Sequence, residues 1–128
     1  MFQGLDYKSV VVNLDYDPAA DDVLPLWRVP LDATIMGAYA TMTNALAANG
    51  SNYFSLTLRN GGTAGTATTA LSNTIGGTAG WAALVPTQFT LSTDTVGKGD
   101  LLQLVYDEEG TGTFTALQIK LDLVYGSN

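Results

Sequence analysis

Residues 101–125, LLQLVYDEEGTGTFTALQIKLDLVY, contain the clearest alternation of apolar and polar side chains in the chain. A strand predicted over 113–125 carries leucine or isoleucine at each odd position from 117 to 123 and polar residues between them. A strand predicted over 101–106 places Leu102, Leu104 and Tyr106 on one face, and the acidic, Gly-containing turn 107–112 joins the two. Successive side chains of a strand point to opposite faces, so this period of two indicates antiparallel strands with one buried face each.

The same pattern recurs upstream. Residues 52–59 place Phe54, Leu56 and Leu58 on one face, and Asn60-Gly61-Gly62 then has the composition of a hairpin turn. Proline cannot donate to a strand ladder, so Pro25 and Pro30 predict an edge strand or a bulge over 23–31. Further strands are predicted over 9–14, 33–42 (where Gly37 suggests a bulge), 66–74 and 86–91.

Two segments allow a second interpretation. The alanines of 38–48 tolerate a helix, but Thr41, Thr43 and Asn44 weaken it, so we favour a strand to about Met42 and then a turn.

The pentapeptide GGTAG occurs at 61–65 and again at 76–80. Two copies do not make a solenoid, and no GK[ST] follows to form a phosphate loop, so both copies are predicted turns that bracket a strand.

These segments predict an all-β fold, an antiparallel β-sandwich or jelly roll of seven or eight strands over residues 23–128. Residues 1–22 differ in character, because four aspartates and a proline fall within 15–22. Such a composition is typical of turns, and we interpret 1–22 as an N-terminal arm or edge segment. The 128 residues are sufficient for one domain with its own core.

The composition excludes several functions. Five basic residues against twelve acidic ones give a formal net charge of −7, and the basic residues form no run, so neither nucleic acid nor an anionic membrane surface is an expected partner. Histidine and cysteine are absent, which removes the imidazole base, the thiol nucleophile, the disulfide and the usual zinc ligands. Paired carboxylates and Ser/Lys or Thr arrangements remain possible catalytic groups, and a carboxylate hydrolase would need two carboxylates held at a fixed distance in a cleft. The sequence indicates no such pair, so we expect no enzyme activity, no cofactor and no metal. The N-terminal residues predict no secretory signal, so we expect a product made inside a cell.

Three groups of residues are candidate sites. Asp15, Asp17, Asp21 and Asp22 are oxygen ligands suited to calcium, but their spacing does not match an EF-hand, and a solvated turn is the alternative. The carboxylates of 107–109 are not held at a fixed separation by a flexible hairpin tip, so a charged, soluble loop is favoured over an acid–base pair. Trp27 and Trp81 suit either a sugar-stacking platform or a core or subunit interface, and the second is the commoner role of such aromatics.

Three stretches together carry a family resemblance: 15–28 followed by 33–42, NYFSLTLRNGGTAGT at 52–66, and GKGDLLQLVYDEEGTGTFTALQIKLDL at 97–123. Over about residues 15–125 the chain resembles the small β-sandwich virion proteins of tailed bacteriophages. Within that group, its size, acidity and low complexity are most similar to those of capsid decoration, or cement, proteins.

The resemblance implies a non-enzymatic structural role. Such proteins are often homotrimers on the outer surface of the capsid at three-fold positions, where they bind the major capsid protein and bridge capsomers to stabilise the shell. The alternative that it leaves is a tail or fibre module that binds host glycans through exposed aromatics. The residues expected to contact a partner are Val10, Val12, Leu14, Tyr16, Trp27 and Arg28.

Overall fold

The computed structural model describes residues 6–15, 18 and 21–126. Within them the chain forms nine strands and one short 3-10 turn at Gly77–Ala79, with no α-helix. The strands are β1 (Asp6–Leu14), β2 (Asp22–Arg28), β3 (Ala33–Met42), β4 (Tyr53–Asn60), β5 (Thr69–Gly76), β6 (Thr87–Gln88), β7 (Thr95–Val96), β8 (Leu101–Glu109) and β9 (Leu117–Tyr125).

The strands form two antiparallel sheets packed face to face. The first sheet has the order β1-β9-β3-β6, and β7 also pairs with β3; the second sheet has the order β2-β8-β4-β5. The predicted all-β sandwich is therefore confirmed. The strand that the sequence analysis missed is β7, whose two residues are too few to show a period of two.

The core lies between the sheets and is built from the faces that the alternation predicted. Leu117, Ile119, Leu121 and Leu123 of β9 are buried, as are the predicted inward residues of β4 and β8. At one end of the core an aromatic cluster surrounds Phe54, whose ring centroid lies 5.1 Å from that of Trp81, 5.4 Å from that of Tyr106 and 5.5 Å from that of Phe114.

Both predicted irregularities occur. The register of β2 against β8 shifts between Pro25 and Trp27, and β2 is an edge strand, a position in which sheets tolerate proline. The register of β3 against β9 shifts between Ile35 and Gly37. A Cβ on Gly37 would lie 3.1 Å from the Tyr39 hydroxyl, so the tyrosine ring covers the glycine.

Several predicted strand boundaries were wrong. The strand predicted over 113–125 begins at Leu117, because Phe114 enters the core instead and meets the Tyr106 ring edge-on. The strand predicted over 101–106 continues to Glu109, where it pairs with the start of β4. The strand predicted over 66–74 lies instead at Thr69–Gly76, and the strand predicted over 86–91 is only Thr87–Gln88. The strand predicted over 23–31 ends at Arg28. In 38–48 the strand ends at Met42, as the favoured interpretation predicted.

Candidate functional site: the open side of the sandwich

One lateral side of the sandwich is closed by its own chain. The segment that follows β6 leaves the first sheet at Phe89, whose N–H donates to the Ala38 carbonyl of β3 over 2.9 Å. It then reaches the second sheet, where the Ser92 N–H donates to the Leu71 carbonyl of β5 over 2.8 Å. The free edge of β5 is thereby covered, and the outer side of β3 is occupied by β6 and β7.

The opposite side is formed by the two remaining edge strands, β1 and β2. We call it the open side and define it as Asp6–Leu14 and Asp22–Arg28. In the part of the chain that the structure describes, no strand pairs with the outer edge of either element. β1 pairs with β9 through an unbroken register of nine residues, whereas β2 is interrupted by its bulge.

The structure brings the predicted contact residues on both strands to this side. Val10 and Leu14 are buried in the core, so of the β1 residues proposed for contact only Val12 keeps part of its side chain exposed. Trp27 is likewise partly buried against the core. Arg28 is exposed, and its Nη1 donates to the Thr63 carbonyl over 3.1 Å and to the Gly99 carbonyl over 2.6 Å. The predicted contact at Tyr16 lies outside the described residues.

One end of the open side is strongly acidic. Residues 15–22 and 107–109 contain seven of the twelve acidic residues and none of the five basic ones, so these two segments account for the whole formal charge of −7. Pairing of β2 with β8 brings Asp21 and Asp22 beside 107–109, and the Glu108 N–H donates to Asp21 Oδ1 over 3.0 Å. We call the described carboxylates of these segments the acidic end: Asp15, Asp21, Asp22, Asp107, Glu108 and Glu109.

One carboxyl group of the acidic end, that of Asp107, has its pKa shifted by its surroundings. A hydrogen bond to Asp21, partial burial and the negative charges of Asp21 and Glu109 raise the pKa of Asp107 above its ordinary value of 3.8. In the sequence, 15–22 and 107–109 are two separate candidate sites, and no local pattern predicts that Asp21 and Glu108 are in contact. The signal that was available is that the two segments together hold the entire net charge.

The candidate metal ligands are only partly testable, because Asp17 lies outside the described residues. Asp21 is bonded to the Glu108 backbone, and Asp22 Oδ1 accepts from the Val23 N–H over 2.8 Å. Among the described residues no three acidic, histidine or cysteine side chains are grouped so as to hold a metal ion. In the same part of the chain no helix is long and apolar enough to cross a membrane.

Trp81 belongs to the core, as the commoner interpretation predicted. Only 6% of its surface is exposed, its ring stacks on Phe54 with an interplanar angle of 14°, and its Nε1–H points at the Phe54 carbonyl over 3.4 Å. A sugar ring has no access to either of its faces. The prediction that Trp81 is a stacking group of a glycan-binding module is therefore wrong. Trp27 is the tryptophan that keeps part of its surface exposed.

Comparison with solved structures identifies a fold relative. No family model matches the chain, and no curated protein sequence matches it significantly. The fold is similar to that of a chain in the Cyanophage Pam1 capsid asymmetric unit, with a TM-score of 0.53 and 15% identity over 95% of this chain and 85% of that one. A chain in the structure of infectious bursal disease virus Gx strain gives a TM-score of 0.45 and 14% identity, over 98% of this chain and 33% of that one.

At this level of identity the comparison concerns architecture alone. The cyanophage match covers 95% of this chain, so it includes strands of both sheets rather than a single hairpin. The chain shares a β-sandwich fold with that chain of the cyanophage capsid asymmetric unit.

Proposed function

We propose that this chain is a capsid decoration protein, a non-enzymatic component that binds the outside of a phage head and bridges neighbouring capsomers. The observation that carries the proposal is the similarity, across both sheets, to a chain of a cyanophage capsid asymmetric unit. The coverage of 95% here and 85% there means that the matched chain is only slightly longer than this one. The likeness is therefore to a whole small capsid component and not to one domain of a large shell protein.

The charge of the molecule supports the outer surface. A protein with a net charge of −7 and no basic run is repelled by packaged nucleic acid, so a position facing the genome is unfavourable. On the outside, the acidic end is free to meet basic residues of the shell. The virion surface is thus the location we propose for the chain, with the major capsid protein as its partner.

The described part of the N-terminal segment also supports adhesion. Residues 1–22, which we propose to supply much of the shell contact, include β1, an edge strand with exposed side chains at Tyr7 and Val11. The sandwich flanks would then join copies into a homotrimer. A trimer that touches several capsomers gains avidity from contacts that are individually weak.

Co-sedimentation with empty shells of the phage that encodes the chain tests the proposal. We expect the purified protein to pellet with shells, to saturate at a fixed ratio of copies to capsomers, and to raise the temperature at which the shells dissociate. A matched reaction with shells of an unrelated phage controls for trapping. If the protein stays in the supernatant at every concentration, or pellets equally with the control shells, the proposed function is wrong.

A further inference from the structure

We propose that β1 is the docking strand of this molecule: it accepts an extended segment of the shell protein as a sixth strand of the first sheet, with basic residues of that segment against the acidic end. This inference rests on the proposed function for the identity of the partner. It adds the mode of attachment, the strand that provides it and the chemistry of the segment that is bound.

The other sheet edges are poorly suited to strand addition. The opposite edge of the first sheet is formed by β6 and β7, which are only two residues long each, and β5 is covered by the segment around Leu91, which bridges to Ser72. The remaining edge strand of the second sheet, β2, contains Pro25 and a bulge, two features by which natural sheets prevent edge-to-edge pairing. Of the described edges, β1 is the one that carries none of these protections.

β1 itself has the properties of a template. Its nine residues contain no proline and no bulge, and all nine pair with β9 in a continuous register. Every second residue of an edge strand directs its N–H and C=O away from the sheet, so β1 presents a row of unpaired backbone groups. Val10–Val12 is a run of β-branched residues, and the exposed side chains of Tyr7 and Val11 are available for cross-strand contacts.

Charge indicates which segment β1 accepts. β1 ends at Leu14 beside Asp15, and β2 begins at Asp22 beside Asp107 and its neighbours, so the acidic end lies where an added strand leaves or enters the sheet. None of the five basic residues lies in 15–22 or 107–109. A segment with lysine or arginine at that end supplies the missing counter-charge, and such complementarity accelerates association and fixes the register of docking.

A second copy of this chain is a poorer occupant. Antiparallel self-pairing centred on Val10 or Val11 places Lys8 opposite Val12 or Leu14, so the one cation of the strand meets no carboxylate. Each copy also brings a net charge of −7 with it. Pairing of two copies therefore doubles the net negative charge and brings no excess of positive charge to balance it.

Hydrogen exchange with and without empty shells tests the inference directly. In the free protein, we expect β1 amides to alternate between protected (facing β9) and rapidly exchanging. With shells bound, we expect the rapidly exchanging set to slow by about tenfold or more, while the amides of β2 change little. Loss of the alternation in β1 on binding is a signature that simple surface contact does not produce.

A pair of matched double variants tests the charge component. Asp107→Asn with Glu109→Gln removes two charges from the acidic end, and Asp32→Asn with Asp94→Asn removes two from loops at the far ends of β3 and β7. We expect the first variant to bind shells about tenfold more weakly at low salt and to show a shallower salt dependence, and the second to bind as the unchanged protein does. If the two double variants weakened shell binding equally, the basic residues of the bound segment would not lie against the acidic end.

The outcomes separate the two proposals. Absence of binding to the shells refutes the proposed function itself. Binding without new protection in β1 leaves the proposed function standing and refutes strand addition. Protection of all β1 amides in the free protein, together with a mass above that of one chain, identifies a second copy as the occupant and also overturns the inference.

Discussion

At the scale of single residues, the two tryptophans show how position decides role. Trp81 follows the second GGTAG turn and fills the core against Phe54, whereas Trp27 lies on an edge strand with part of its surface exposed. The turn itself is shaped by this packing, because a Cβ on Gly76 would lie 2.4 Å from the Trp81 ring, and Gly76 also has a φ of 88°. Glycine at position 76 is therefore required both for the backbone conformation and for the space.

Replacement of Trp81 by alanine should lower the free energy of unfolding by about 3–5 kcal/mol, since it leaves a cavity where a stacked aromatic was. Urea denaturation followed by far-ultraviolet circular dichroism measures the change. Trp27→Ala is the matched control and should cost clearly less, because its ring is only partly buried. Comparable losses in the two variants would mean that Trp81 is not the core residue described here.

The pKa of Asp107 predicts a pH dependence at one residue. Because the folded state raises this pKa, the protonated form stabilises the fold at low pH, and that stabilisation is lost as the pH rises from about 3.8 through the folded-state value. Asp107→Asn keeps a hydrogen-bond donor towards Asp21 without the charge. We expect the variant to gain stability relative to the unchanged protein as the pH rises through this window, measured by urea midpoints at several pH values; a constant difference across the window would contradict the assignment.

At the scale of elements, the sequence predicts strands well where one face is buried and poorly where loops contribute to the core. β4 and β9 are predicted because their apolar residues occupy every second position, over 54–58 and 117–123. The start of β9 was placed too early because Thr113-Phe114-Thr115 also alternates, although Phe114 enters the core from a loop. The pairing of distant edges, which creates the open side and the acidic end, depends on topology that no local pattern contains.

The loop after β4 provides an example of a buried polar contact between elements. Gln103 of β8 points outward from its sheet but is buried, because the Gly61–Gly65 turn folds over it. Its Oε1 accepts from Arg59 Nε over 3.0 Å, and its Nε2 donates to the Gly65 carbonyl over 3.1 Å. The side chain thus ties the first GGTAG turn to the second sheet.

Gln103→Ala should destabilise the fold by about 1–3 kcal/mol, because two polar groups beneath the turn lose their partners. Gln118→Ala, on the exposed face of β9, is the control and should change stability by less than about 0.5 kcal/mol. Thermal unfolding of the three proteins in parallel gives the comparison. If Gln118→Ala destabilised the fold as much as Gln103→Ala, the hydrogen bonds of Gln103 to Arg59 and Gly65 would not be the cause of the loss.

At the scale of the whole molecule, the main feature is an asymmetry. Among the described residues, one lateral side is closed by the chain itself and the other ends in two free edge strands. The six carboxylates of the acidic end lie at one end of that open side, where Asp21 meets Glu108. A sandwich with one open edge and one charged end is suited to attachment in a single orientation. This asymmetry is what links the fold to the proposed role on a shell.

The assembly state is a prediction at this scale. We expect sedimentation equilibrium of the purified chain to give three times the 13.4 kDa of one chain, in agreement with the proposed trimer. The trimer should persist at high salt if the sandwich flanks that join the copies are largely uncharged. A monomer at the concentrations used for shell binding would contradict trimerisation and leave shell attachment to single copies.

The most direct test of the central claim is a cryo-electron microscopy map of empty phage shells incubated with the chain. The account predicts added density on the outer surface at three-fold positions, into which the sandwich fits with β1 facing the shell and continuous with a strand of the capsid protein. Density on the inner surface, on the tail alone, or nowhere on the particle would contradict it.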